Sequence, residues 1–429
     1  MAEQDNEGWA ERLRTDVRSW LQENWDPAVD VPAWWQRVAD AGWTAAHFPA
    51  DKGGMGLPSQ ATGIVRDEFT TFGALAPPGG LGMLMAAPTI LTHGTPEQIA
   101  RFVPPILNGS IAWCQLFSEP GAGSDLAGLT TRATRDGDKF IINGQKVWSS
   151  GALQSDYGML LARTDFDVPK HAGISWFAFS LNQPGVDVRP LREMTGQALF
   201  NEVFFDDAIV PAEDLIGGEG NGWAVTQTTL FYERVGIGAG GSFGRAPNAG
   251  VKNGIYPQTS VGEAAQAFAT PSGPATVALP DLIALAHSQG RAGDPLIREK
   301  LATLACYTDT GRWTARRSVD TDDPATANRL ALLGKVAQTR IVKLAAEIGM
   351  DLLGPEAMLW PPDGPDAGRF SEYFAFSSAS SIYGGTDQIQ RNVISERVLG
   401  LPREAGPSKT APYREVLESQ RASAERSAR

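Results

Sequence analysis

Cys114-Gln-Leu-Phe-Ser-Glu-Pro-Gly-Ala-Gly-Ser-Asp125 reads as a strand running into a turn of small residues, and the texture of the chain changes around it. Upstream, residues 1 to about 110 carry a helical period. Trp9, Leu13, Val17, Trp20, Leu21 and Trp25 recur every three or four residues, a stripe that stops at Asp26-Pro27. Trp34, Trp35, Val38 and Ala41 repeat the period and end at Gly42. A Gly/Pro-rich turn, FPADKGGMGLP, fills 48–58, and helical segments are expected over Thr62–Phe72 and Leu81–Leu91. Downstream, residues 111 to about 215 read as strands. Phe140-Ile141-Ile142 lies between Gly137 and Asn143-Gly144, a dipeptide that predicts a hairpin turn. Tyr157–Ala162, Ile174–Leu181, Val186–Val188 and Val203–Phe205 are further short strands, and strands so close together predict a barrel or sandwich.

From about 221 the helical period returns. Leu330, Leu333, Ala337, Ile341, Leu344, Ile348 and Leu352 form the stripe of a bundle helix closed by Gly354-Pro355. The Gly/Ala/Pro/Ser-rich stretch between about 236 and 280 has little period and predicts a long surface insertion. Helices, then strands, then helices make the fold class α+β and exclude a doubly wound α/β chain. The expected domains are helical over 1–110, β over 111–215 and a helical bundle over 216–402, with a polar, frayed tail over 403–429.

The chain has 429 residues, which at roughly 150 per domain gives about three domains. Apolar residues at 42% and charged residues at 20% exclude a collagen-like, wholly disordered or membrane-embedded chain. A net charge of −12 argues against nucleic acid or an anionic membrane surface as the main partner. It leaves room for a small anionic ligand held by a few arginines. Cys114 and Cys306 cannot make a disulfide framework, and the acidic start MAEQDNEGW has no apolar signal core. Both fit a cytoplasmic chain. No membrane span is expected: the longest near-candidate, Gly80–Leu91, is interrupted by Pro88. The four histidines have no metal-ligand spacing, so no metal is expected.

Three motifs bear on chemistry. Gly236, Gly238 and Gly241 satisfy G-x-G-x-x-G, but a helical run precedes them and a loop follows, the wrong context for a dinucleotide fingerprint. The turn Pro120–Ser124 offers backbone N–H groups that can cradle an anionic group, and Asn143–Ala152 follows it. Gly384-Gly385 lets a ligand approach the backbone, with Thr386 and Gln388 at a helix start where N–H groups are unpaired. Each alone reads better as a structural turn, a core tryptophan at 148, or an ordinary helix cap.

Together the segments resemble the acyl-CoA dehydrogenase family over roughly residues 10 to 402. The resemblance rests on the turn Pro49–Pro58, S-E-P-G-A-G-S-D (118–125), N-G-x-K-x-W (143–148), F-N-E-V-F-F-D (200–206), Gly222-Trp223, Glu233-Arg234 and G-G-T-x-x-I-Q-R-N (384–392). Its nearest branch is the bacterial one that degrades lipids and sterol side chains. The resemblance implies an N-terminal helical domain, a middle β-barrel domain and a C-terminal four-helix bundle. It also implies FAD bound between the last two, and assembly as a homodimer or homotetramer.

The resemblance further implies roles residue by residue. Gln115, Phe117 and Ser118 fall on the strand that contacts the flavin ring, Gln115 replacing a residue often aromatic in relatives. Trp148 matches the aromatic beside the ring, and Ser150 the hydroxyl near N5. Ser124 lies where relatives hold the CoA portion, and Phe231, Arg234 and Gly385 are assigned to the substrate. Arg291 matches an arginine that grips the FAD pyrophosphate of a neighbouring subunit, though Arg-Ala-Gly-Asp-Pro replaces the usual R-x-x-F-G. Asp351 to Pro355 (DLLGP) replaces Q-x-x-G-G, another cofactor contact across the interface. Thr386 and Gln388 match cofactor residues of the terminal motif.

The family's reaction removes a weakly acidic α-proton, so a carboxylate in a dry site is needed. Many relatives carry that base immediately before the terminal G-T, where this chain has Gly384. Others carry it on the first bundle helix just before an Arg, and Glu233-Arg234 stands there. The expected activity is therefore FAD-dependent oxidation of an acyl-CoA to a trans-2-enoyl-CoA, with an electron-transferring flavoprotein as acceptor. Two alternatives stay open: a partner subunit of a hetero-oligomer with an incomplete site, and a flavin monooxygenase on the same fold.

Overall fold

The computed structural model describes residues 2–238, 259–269, 276–321, 323–360, 368–403 and 410–427. The tryptophan stripes form helices α1 (Ala2–Asn24) and α2 (Val31–Asp40), which pack with α3 (Ala61–Phe72) around one cluster holding Trp34, Trp35, Val38, Val65 and Phe69. Asp30 starts α2 by accepting from the Ala33 N–H at 2.7 Å. The indole N–H groups of Trp34 and Trp35 donate to the carbonyls of Leu75 and Ala76, so these large side chains are buried without orphaned donors. Pro88 does not interrupt the next helical segment. A single π-helical turn, Gly82–Ala86, runs into α4 (Ala87–His93), and Pro88 sits just past this irregular turn without ending the helix. Helix α5 (Pro96–Leu107) follows, started by a Thr95/Gln98 capping box.

The strands are β1 (Trp113–Leu116), β2 (Arg132–Asp136), β3 (Lys139–Ser150), β4 (Tyr157–Arg163), β5 (Ile174–Ser180), β6 (Val186–Leu191), β7 (Phe200–Pro211) and β8 (Leu215–Ile216). They form one mixed sheet in the order β6-β7-β3-β2-β4-β5-β8, with β1 parallel to β4 on a side branch. One face of nearly every strand shares a single core with Phe140, Leu160, Phe177, Phe179 and Val203, so the sheet curls around it like a barrel. Strands β4 and β5 are buried on both faces. Leu160, Ala162 and Phe177 point into the barrel, while Met159, Leu161 and Trp176 meet Met85, Phe102 and Val225 of the helices.

Asn143-Gly144 is not a hairpin turn. The turn lies at Gly137-Asp138, between the paired Asp136 and Lys139, and β3 continues through Asn143-Gly144 as a bulge. The Asn143 amide donates to the Asp207 carboxylate at 2.8 Å and accepts from the Asp207 N–H. A Cβ at Gly144 would lie 2.7–2.8 Å from Thr131 atoms, so the glycine allows close approach of the residue just before β2.

The C-terminal part comprises α6 (Gly222–Gly238), α7 (Val261–Ala269), α8 (Leu279–Ser288), α9 (Pro295–Asp320), α10 (Pro324–Leu353), α11 (Arg369–Ser377), α12 (Asp387–Arg397) and α13 (Tyr413–Ser427). The predicted stripe lies on α10, which packs against α6, α8, α9, α11 and α12 as the axis of the bundle. Residues 239–258 and 270–275 of the expected insertion lie outside the described residues. Within the rest of it, α7 corrects the expectation of a surface loop. Val261 and Ala264 are buried against the tryptophan cluster, and the Val261 N–H donates to Val29 at 2.8 Å. Ser260 and Glu263 cap the helix reciprocally. The tail is also corrected: α13 docks on the loop between β4 and β5 through a buried Tyr413.

Candidate active site

Helix α6 is held along the first half of its length. A Cβ at Gly222 would lie 2.5 Å from the Ser175 backbone, so only glycine lets the helix start this close to β5. Trp223 packs edge-on against His171, Thr229 bonds Thr89 at 3.0 Å, and Thr228 bonds His93 at 2.8 Å. This clamp turns Glu233 inward, where it is 8% exposed. The Gln115 amide on β1 donates to Glu233 Oε2 at 3.3 Å. Burial pushes the Glu233 carboxyl above the usual carboxylate range. The Gln115 bond, the neighbouring Arg234 and Lys335 on α10 pull the other way.

Lys335 was not foreseen. It is buried, donates to Thr339 Oγ1 at 3.1 Å and to the Ser380 carbonyl, and lies 5.1 Å from the Tyr383 ring centroid. It thereby ties α10 to the segment leading into Gly384-Gly385-Thr386. Burial lowers its pKa, opposed by Asp387 and Glu233. Both glycines have positive φ (63° and 84°), and a Cβ at Gly385 would lie 2.6 Å from Gln390 Nε2. Thr386 caps α12 by accepting from the Ile389 N–H at 3.2 Å, and Gln388 is exposed in its first turn.

A second unforeseen pair fixes the strand–turn segment. Lys146, fully buried on β3, donates to Glu119 Oε1 at 2.8 Å and to the Phe117 carbonyl at 2.9 Å. Glu119 also accepts from the Thr130 and Thr131 N–H groups at 2.7 and 2.9 Å. Burial disfavours its charge, but Lys146 and these donors outweigh burial and hold the carboxyl below the ordinary range. The signal was present in the sequence as the one acid of S-E-P and the one lysine of N-G-x-K-x-W. Phe117 is buried, and the half-buried Ser118 accepts through its carbonyl from the Val147 N–H at 2.9 Å.

Trp148 is not a core residue. It is 57% exposed, has φ 62° and meets Phe200 edge-on at 5.7 Å. It sits in a second irregularity of the β3–β7 ladder, between Lys146 and Ser149. A tryptophan held at positive φ on the surface is local strain. Ser150 follows, half-buried, and Ser124 and Phe231 are exposed.

Arg291, Asp351 and Pro355 stand apart. Arg291 donates to the Asp351 carbonyl and to Asp294 at 2.7 Å, and Lys300 pairs with Asp351. With Leu296, Thr303 and Leu344 they line a cleft of about 370 Å³ between α9 and α10. Asp351 lies about 24 Å along α10 from Lys335 at 1.5 Å per residue. Helix α6 runs through Gly236 to Gly238, so the G-x-G-x-x-G stretch lacks its strand, and Gly241 lies outside the described residues. Among the described residues no His/Cys/Asp/Glu group could hold a metal ion, and no helix is long and apolar enough to cross a membrane.

Comparison with known proteins agrees with this layout. Residues 7–110, 114–208 and 261–399 match the N-terminal, middle and C-terminal domains of acyl-CoA dehydrogenase. The chain is 36% identical over 423 residues to acyl-CoA dehydrogenase IpdE1 of Mycobacterium tuberculosis, covering 92% of this chain and 98% of that one. It is 37% identical over 366 residues to acyl-CoA dehydrogenase FadE34 of the same organism, covering 85% of this chain and 46% of that one. Among solved structures, the Tcur3481-Tcur3483 steroid ACAD superposes with TM-score 0.67 at 25% identity over 92% of this chain and 98% of that one. The ChsE4-ChsE5 complex of Mycobacterium tuberculosis superposes with TM-score 0.64 at 26% identity, again over 92% and 98%.

Proposed function

The chain belongs to the acyl-CoA dehydrogenase family of oxidoreductases, and we propose that it oxidises an acyl-CoA thioester to its trans-2-enoyl-CoA with Glu233 as the base. The observation that carries the proposal is a buried carboxylate aimed at the strand–turn segment and held by Gln115. FAD, when bound, would supply the acceptor for the β-hydride, with an electron-transferring flavoprotein as the proposed electron acceptor. Glu233 takes the α-proton onto its carboxylate, and burial makes it a stronger base than an exposed one. Gln115 orients it, and Gln115 and Arg234 offset part of the effect of burial.

The residues present fit FAD. A surface tryptophan kept at positive φ and a Gly-Gly turn opening onto a helix start suit a planar ring with an anionic tail. Phe117, Ser118, Trp148, Ser150, Thr386 and Gln388 would hold it, with Gln115 shared between cofactor and base. Ser124, Phe231, Arg234 and Gly385 would face the substrate. Asp351 lies about 24 Å along α10 from Lys335 and Arg291 bonds to its carbonyl, which suits a role for Arg291, Asp351 and Pro355 toward a neighbouring subunit's cofactor. The working domains are 1–110, 111–215 and 216–402, in a cytoplasmic dimer or tetramer. The substrate is a branched or bulky acyl group, in keeping with the steroid ACAD among its structural neighbours.

Replacing Glu233 with Gln and adding acyl-CoA tests the base. Flavin bleaching should slow by about 10²-fold or more; bleaching at the wild-type rate removes Glu233 from the reaction. A second reading, a subunit that works only with a related chain, draws on the two-chain complexes among the neighbours. Purification alone as a yellow protein with stoichiometric flavin would reject it.

A further inference from the structure

The segment after Pro402 lies beyond the last family match, which ends at residue 399, yet it is bound to the loop between β4 and β5, beside the turn after Ser124. Tyr413 is 2% exposed. Its N–H donates to the Val168 carbonyl and that of Arg414 to the Phe166 carbonyl, each at 2.9 Å. The Tyr413 hydroxyl donates to the Gly128 carbonyl at 2.5 Å. Arg414 forms an ion pair with Asp167 at 2.6 Å.

The tyrosine ring covers a buried cation. Arg163, at the end of β4, has its guanidinium 3.9 Å from the Tyr413 ring centroid. It donates to the carbonyls of Ala127 (2.7 Å), Lys170 (2.8 Å) and Leu129 (3.1 Å). Lys170 in turn holds the Asp125 carboxylate at 2.6 and 2.8 Å. Tyr413 and Arg163 together therefore fix the carbonyls of residues 127, 128 and 129, in the turn that follows Ser124-Asp125. A desolvated cation between carbonyls and an aromatic face is strongly oriented, and removing the face loosens the cation that holds the turn.

We propose that the C-terminal segment braces this turn, with Tyr413 as the positioning residue, and so sets the affinity for the CoA end of the substrate. The inference rests on the reading that Ser124 faces CoA. Loss of one buried hydrogen bond and a ring contact should weaken CoA binding about tenfold.

Coenzyme A itself is the probe, titrated calorimetrically into full-length protein carrying Glu233→Gln, with and without changes at Tyr413. Tyr413→Ala should weaken CoA binding about tenfold, while Tyr413→Phe, which keeps the ring over Arg163, restores most of it. In the Glu233-containing background, Tyr413→Ala should raise KM for acyl-CoA with kcat and flavin content unchanged. Should Tyr413→Ala fail to fold, Tyr413→Phe and Arg414→Ala should still show smaller rises. Unchanged CoA affinity in every variant, or loss of flavin and kcat with KM unchanged, overturns the proposal. The CoA titration does not depend on the base, so a failure of Glu233 as base would leave its outcome intact.

Discussion

In the proposed reaction, Gln115 and Glu233 set the pH behaviour of the site. Burial raises the Glu233 carboxyl, and the Gln115 bond is the first of the opposing influences. Gln115→Leu removes that bond and leaves burial in place, so the pKa rises further. A base works only when ionised: activity is present above its pKa and lost as pH falls through it. The acid limb of the kcat profile should therefore move to higher pH in Gln115→Leu, and an unmoved limb would show that the 3.3 Å contact does nothing for the base. Stability has the opposite sign. A carboxyl raised above its unfolded value contributes stability that is present below the unfolded value, about 4.3, and lost as pH rises through the folded one. Glu233→Gln escapes that loss, so at pH 8 it should melt above wild type, with the gap closing toward pH 4. A lower melting temperature at pH 8 would mean that the carboxylate is better solvated than its burial implies. Glu233 was singled out in the sequence because, in the family the chain resembles, the alternative base position falls on Gly384. Its partner Lys335 was not, because no local pattern links residue 335 to residue 380 before the bundle closes.

At the scale of elements, the Lys146–Glu119 pair joins β3 to the segment after β1. Lys146→Met leaves the Glu119 carboxylate buried without its cation, which should cost about 3–5 kcal/mol. The double change Lys146→Met with Glu119→Gln should recover much of it, measured by urea unfolding. Equal losses in the single and double variants would mean that the pair only fills space. Legibility of elements followed the way each is buried. Stripes with one buried face, such as α1, α2 and α10, were readable from period alone. Strands β4 and β5 were readable as apolar runs because both faces are covered. Strand β2 was not, since within it only Ala133 is buried. Helix α7 was hidden by its alanine and glycine content, although Ser260 and Glu263 form a cap that can be read locally. The docked tail hinged on one tyrosine, and the bulge at Asn143-Gly144 on an Asp207 sixty-odd residues away. Neither partner is visible without the fold.

Two groups of candidate residues lie at different heights along α10, one near Lys335 toward its middle and one near Asp351 at its C-terminal end. Glu233, Gln115 and the Gly384-Gly385 turn gather near Lys335, whereas Arg291 and Asp351 meet about 24 Å further along the helix. Nearby, Met358 is 87% exposed, in a run with the exposed Leu359 and Trp360, an arrangement more often found at an interface than on a lone subunit. If Arg291 serves a neighbour's cofactor, each complete site takes Glu233 from one subunit and Arg291 from another. Arg291→Ala and Glu233→Gln would then each inactivate a uniform oligomer. Mixed and reassembled together, they should regain activity, because one kind of mixed site has both wild-type residues. Random pairing in a dimer would restore about a quarter of the sites. If Arg291 acts only within its own subunit, the Glu233-bearing chain always lacks it, and mixing restores nothing. Activity after mixing, against each variant alone, decides between one site per chain and one site built from two.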